Sequence, residues 1–206
     1  MSFFTAVLSF YLKLFFLLTP FFIIGMFISM TDGVPVAEKR LLARNVAICT
    51  MCVSLIIFLF GSFIMRLFGI TVDAFRAGSG VLLMLTAIAA VNRQPSDTQK
   101  TFKFDKIQEL ALVPMAVPMT AGPAVLGTLM VEGTDAKTII DKLAIILAII
   151  MATSSIGVCL VFADKIESLL GHSRIIILSK LTGLILSAIA VQMIVVGVKS
   201  LFLSTM

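Results

Sequence analysis

LALVPMAVPMTAGPAVLGTLMV, residues 110–131, is apolar enough to lie in a bilayer, yet it carries Pro114, Pro118, Gly122 and Pro123. Each proline inside a helix removes a backbone donor and clashes with the preceding turn, at a cost of ~3 kcal/mol. In lipid a freed carbonyl has no water to bond, so irregular backbone persists only inside protein or along a cavity. The stretch therefore reads as a broken membrane helix that lines a site.

The composition agrees. The chain has 206 residues, of which 60% are hydrophobic and 13% charged, with a mean hydropathy of +1.15. Soluble domains carry about a quarter charged residues, so this is the composition of an integral membrane protein. A net charge of +5 is explained by membrane topology, without a nucleic-acid partner. Spans are expected at 5–30, 41–65, 74–91, 108–131, 143–163 and 175–202, which makes an all-α integral membrane fold of six transmembrane helices. Spans one and four are broken, at Thr19-Pro20 and at the prolines above. MSFFTAVLSFYLK has no basic leader and no cleavage site, and reads as the start of the first span.

The halves align at an offset of 103 residues: Pro20 on Pro123, Thr31-Asp32 on Thr134-Asp135, Gly80 on Gly183, Leu83 on Leu186 and Ala87 on Ala190. Three spans is an odd number, so the second copy enters from the opposite face. The expected organisation is one three-span repeat over 1–92, a cytoplasmic linker at 93–107 and an inverted repeat over 108–206, as in many secondary transporters. Lys39, Arg40, Arg44, Arg93, Lys100, Lys103, Lys106, Lys165, Arg174 and Lys180 fall on one side, against Lys13, Arg66, Arg76, Lys137, Lys142 and Lys199 on the other. This bias puts both termini in the periplasm.

Proline is favoured at the first position of a helix, so Pro20–Met30 and Pro123–Val131 read as half-helices with Thr19 and Gly122 at their N-caps. Two helix N-termini near the midplane present unpaired N–H groups and partial positive charge to an anion. Carbonyls ending the preceding halves suit an ammonium. The expected ligand is a zwitterion, an amino acid above all, held by Thr19, Pro20, Ala121, Gly122 and Pro123. Thr120 and Gln192 are further contacts, and Gln192 is equally suited to a helix–helix hydrogen bond. The plainer reading of the prolines is that they only kink packed helices.

Gly78, Gly80 and Gly183 read as small residues that let helices approach, and Arg76 as a cation at the mouth of span three. No Asp, Glu or His occupies the middle of a span. Cys49, Cys52 and Cys159 read as packing residues and His172 stands in a polar loop, so no metal or cofactor is expected. Without a nucleophile–base pair or phosphate loop, an enzyme is not expected either.

With those residues placed, the chain resembles the MarC family of bacterial inner-membrane proteins over nearly its whole length. LALVPMAVPMTAGPAVL is similar to that family's fourth-span pattern VPLAIPLLAGPG, and AFRAGSGVLL to its AFRIAGGILL. LTPFFIIGMF sits where the family has Asn-Pro-x-Gly-x-x-Pro-x-Phe. Here Thr19 replaces the Asn, Phe22 the Gly, Gly25 the second Pro, and Ala124 ends Gly-Pro-Gly. The resemblance, which extends to LysE-type exporters, implies transport of small molecules, neutral amino acids first. It leaves two alternatives: a channel-like or exporter pathway for ions or other metabolites, and a non-transporting regulatory subunit. A homodimer is compatible with so small a transporter, although no residue argues for one.

Overall fold

The structure, a computed structural model, describes residues 3–31, 33–92 and 120–204. The linker 93–107 and the first half of span four, Pro114 and Pro118 included, lie outside the described residues. Every regular element described is helical: α1 (Phe3–Leu17), α2 (Pro20–Met30), α3 (Val36–Leu67), α4 (Val72–Asn92), α5 (Pro123–Asp135), α6 (Ile139–Val161), α7 (Ala163–Leu170) and α8 (His172–Ser204). Five stretches among the described residues are long and apolar enough to cross a membrane, α1 and α2 counting together as one.

The boundaries differ from the sequence reading at the polar ends. α3 begins at Val36, so the polar AEKR is its first turn, opened by Pro35 with Glu38 close behind; an acidic residue there suits the helix dipole. α6 starts at Ile139 because Thr138 and Asp141 form a capping box: the Thr138 hydroxyl accepts from the Asp141 N–H at 3.1 Å, and the Thr138 N–H donates to Asp141 Oδ2 at 3.3 Å. α7 is an additional short helix, ended at Gly171 with φ 78°, a conformation that glycine adopts without penalty. His172 belongs to the start of α8, not to a loop.

The packing is that of a membrane bundle. Ala43, Ala144, Ala148, Ala152 and Ala190 are fully buried between helices, while Ile56, Phe63, Leu85, Leu184 and Val195 face outward. Small residues inside let helix backbones approach, and large apolar ones outside meet lipid tails. The larger buried side chains, among them Leu18, Phe27, Leu83, Leu129, Ile149 and Leu186, fill the centre.

α4 and α8 form the most extensive seam. A Cβ on Gly80 would meet the Ala190 carbonyl oxygen at 3.0 Å and the Ile194 side chain at 2.8 Å. A Cβ on Gly183 would meet the Ala87 carbonyl oxygen at 3.0 Å and the Val91 side chain at 2.8 Å. These are one contact made twice, with partners 103 residues apart (80 and 183, 87 and 190, 91 and 194). Gly78 has no such role, since a Cβ there would meet open space. Around the seam, α5 packs on α3 and α4, and α2 packs on α6 and α8. The two helices also end alike: Thr31 Oγ1 donates to the Phe27 carbonyl at 2.7 Å and Thr134 Oγ1 to the Met130 carbonyl at 3.0 Å.

Candidate functional site

Two breaks in the backbone lie inside the bundle. At the first, α1 closes with the Thr19 N–H on the Phe16 carbonyl at 3.0 Å, and the ladder of α2 restarts with Ile23 N–H on the Thr19 carbonyl at 3.1 Å. Pro20 opens α2 as expected. Thr19, however, sits at φ 49°, ψ 60°, and its side chain makes no cap hydrogen bond. Thr19 thus holds the N-cap position as expected, without capping the helix through its hydroxyl. A capping side chain needs extended backbone to fold back onto the first amides, and the left-handed conformation points it elsewhere. Thr19 is the one non-glycine residue at positive φ among those described, and it is buried. Left-handed backbone costs an ordinary residue roughly 1–2 kcal/mol, more for a β-branched one, and persists only where packing over-determines it.

At the second break Gly122 is extended, φ −64° and ψ 167°, and Pro123 opens α5. The helix continues to Asp135, past the expected end at Val131. Thr120 and Ala121 are buried. Leu18 and Val125, next to the two breaks, line one interior space with Leu14, Ser54, Leu129 and Thr153. That space is too narrow for a water molecule, so α1 and α5 meet in closed protein near the two breaks. Gly25 is buried in α2.

Beside this closed region lies a crevice of about 180 Å³ whose lining includes Lys13, Arg76, Thr128, Glu132, Asp135 and Gln192. The Lys13 ammonium of α1 donates to the Glu132 carboxylate of α5. The Arg76 guanidinium of α4 donates to Asp135 at the end of α5, and to Asp73 one turn back at 3.4 Å. Arg76 therefore stands near the start of α4, at the mouth of the span as expected, and is paired there with two carboxylates. Glu132 and Lys13 are the residues the sequence reading passed over. The signal was present, because a lysine within FYLKLFFLL is expensive in a membrane unless it is paired or functional.

The remaining candidates divide. Gln192 is exposed to the crevice and has no hydrogen-bond partner among the described residues, so the helix–helix amide bond is not formed there. The Thr128 hydroxyl returns to the Ala124 carbonyl of its own helix at 2.9 Å, and Thr86 does the same to Leu82. Asp164 pairs with Lys39 at 3.0 Å, at the opposite end of the bundle from Arg76. The three cysteines are free, and no group of three or more metal-ligating side chains occurs among the described residues.

The family described as MarC family integral membrane protein matches residues 4–202. A UPF0056 membrane protein of Methanocaldococcus jannaschii is 36% identical over 93% of this chain and 95% of its own length. One from Buchnera aphidicola subsp. Baizongia pistaciae is 30% identical over 96% and 94%, and one from Bacillus subtilis 26% identical over 97% of each. Their names say membrane protein and nothing of an activity. No solved structure matches the chain. The protein is a multi-pass integral membrane protein with bacterial and archaeal relatives, and it belongs to the MarC family.

Proposed function

We propose that the protein is a secondary transporter of a small zwitterionic solute, with neutral amino acids as the substrate class, and that it carries out no covalent chemistry. The observation that carries this reading is the crevice in which Lys13 and Arg76 face Glu132 and Asp135. Lys13 and Glu132 are part-buried between α1 and α5, Arg76 and Asp135 stand at that end of the bundle, and charges of both signs facing one crevice in a membrane protein suggest a pathway or site. A carboxylate can exchange onto the cations while an ammonium exchanges onto the carboxylates. The solute then moves to the closed region, where the N–H groups at the starts of α2 and α5 receive its carboxylate. Thr19, Pro20, Ala121, Gly122 and Pro123 form that inner site, with Thr120 and Gln192 at its edge and Gly25 as a buried small residue in α2.

The architecture proposed with this activity is six spans in two inverted repeats, 1–92 and 108–206, joined by a cytoplasmic linker at 93–107, with both termini periplasmic in the inner membrane. Support comes from the reciprocal glycine contacts at an offset of 103 residues. It comes also from the exchange of partners, α5 on α3 and α4 against α2 on α6 and α8. Inverted repeats around a midplane site are a common transporter design.

Counterflow of neutral amino acids into proteoliposomes tests the reading. Lys13→Gln and Glu132→Gln are each expected to lower uptake at least tenfold, and the exchanged pair Lys13→Glu with Glu132→Lys to restore part of it. Wild-type protein that exchanges no neutral amino acid would sink the proposal. The four charges also favour a second reading, a pathway for a small inorganic ion, which predicts ion flux in the absence of any amino acid.

A further inference from the structure

At the opposite end of the bundle from the crevice, α3 and α6 line an open groove of about 540 Å³, within the ~300–1,000 Å³ range of small-molecule sites. Gly157 lines it where α6 packs closely on α3: a Cβ there would meet the Ala47 side chain at 2.7 Å. Its walls are apolar, with Leu41 and Val158 exposed on either side. Arg40 and Arg44 line the same groove, one helical turn apart on α3 and therefore on one face.

Both arginines are exposed, and neither has an ion pair or hydrogen bond among the described residues. The neighbouring Lys39 is already paired, with Asp164. The groove also lies beside the polar ends of the helices, where charged residues of α3 and α7 gather. Phe162 ends α6 beneath the Lys165 ammonium, 5.6 Å from the ring centre, and α7 follows with charged residues and an exposed Leu169. An apolar furrow below, two unpaired guanidinium groups above and an interfacial helix beside them match the two halves of one molecule.

We propose that this groove is a specific site for an anionic phospholipid, its phosphate held between Arg40 and Arg44 and an acyl chain laid along the furrow against Gly157 and Val158. Guanidinium groups bind phosphate oxygens through paired N–H donors, and basic pockets between membrane helices take anionic head groups. A zwitterionic phospholipid brings its own cation next to the phosphate and gains less there.

The test is native mass spectrometry of the full-length protein from mixed micelles holding equal phosphatidylglycerol and phosphatidylcholine of identical acyl chains. Wild type is expected to retain the anionic lipid about tenfold or more over the zwitterionic one, as two basic residues at the head group imply. Arg40→Gln with Arg44→Gln should abolish the preference. Val158→Trp, a substitution at an exposed position that fills the furrow and leaves both arginines, should lower retention of either lipid and keeps the test open if the double variant does not fold. Equal retention of both lipids by wild type overturns the proposal, as does a preference that survives the double substitution. Inorganic phosphate that displaces the lipid and binds as well by itself would make the site an anion site and overturn the lipid assignment.

Discussion

The α4–α8 seam and the two helix breaks are both built from positions 103 residues apart, but only the seam is the same on both sides. At the seam Gly80 and Gly183 meet equivalent backbone and side-chain atoms at equal distances. At the breaks, Pro20 and Pro123 open matching helices, while the preceding residues differ: left-handed threonine at 19, extended glycine at 122. The residue with full conformational freedom adopts the ordinary backbone, and the β-branched one adopts the strained one. A seam that only packs can stay symmetric. If the breaks receive an asymmetric solute, as proposed, they have reason to diverge.

The largest effect tests the seam. Gly80→Leu and Gly183→Leu each push a side chain into a helix backbone that cannot yield, at about 3 kcal/mol or more. In a protein of this size, that corresponds to a fall in Tm of roughly 6–12 °C. The two falls should be equal, and Gly78→Leu should show none, because open space receives its side chain. A severe Gly80 variant beside a tolerated Gly183 variant would end the reciprocity of the seam.

A smaller effect tests the first break. Thr19→Asn replaces a β-branched residue in left-handed backbone by one that tolerates it, and should raise Tm by roughly 2–4 °C for about 1 kcal/mol of relieved strain. Thr19→Val retains the branching and should give no rise. If both variants melt together with the wild type, the backbone at 19 is not strained.

Much of this was legible in the chain. Hydropathy marked the five spans that the described residues contain, and Pro20 and Pro123 marked the starts of α2 and α5, because proline chemistry is local. The conformation of Thr19 was not legible, since a residue before proline is expected to be extended and only the surrounding packing holds it otherwise. The Lys13–Glu132 pair joins residues 119 apart in sequence, and Glu132 stands one residue beyond the span assigned around the prolines, so its hydropathy pattern marked it as an end. α7 was hidden between a span and a loop, because eight residues are too short to show a helical period. Gly78 and Gly80 differ only in which face they occupy, and spacing alone cannot distinguish the faces.

The smallest stability effect carries the sharpest functional test. Gly122 has φ −64° and ψ 167°, backbone that any residue adopts and that the following proline favours. Alanine adopts that backbone without strain and reduces the freedom of the unfolded chain, so Gly122→Ala should leave Tm within a few degrees of wild type or raise it slightly. If the glycine is kept so that a solute carboxylate can approach the first amides of α5, the added methyl group stands in its path, and amino-acid counterflow should fall several-fold while the protein stays as stable. Loss of flux with stability intact separates a binding glycine from a structural one. Unchanged flux would remove the second break from the site and leave the charged crevice between α1, α4 and α5 to bind the solute alone.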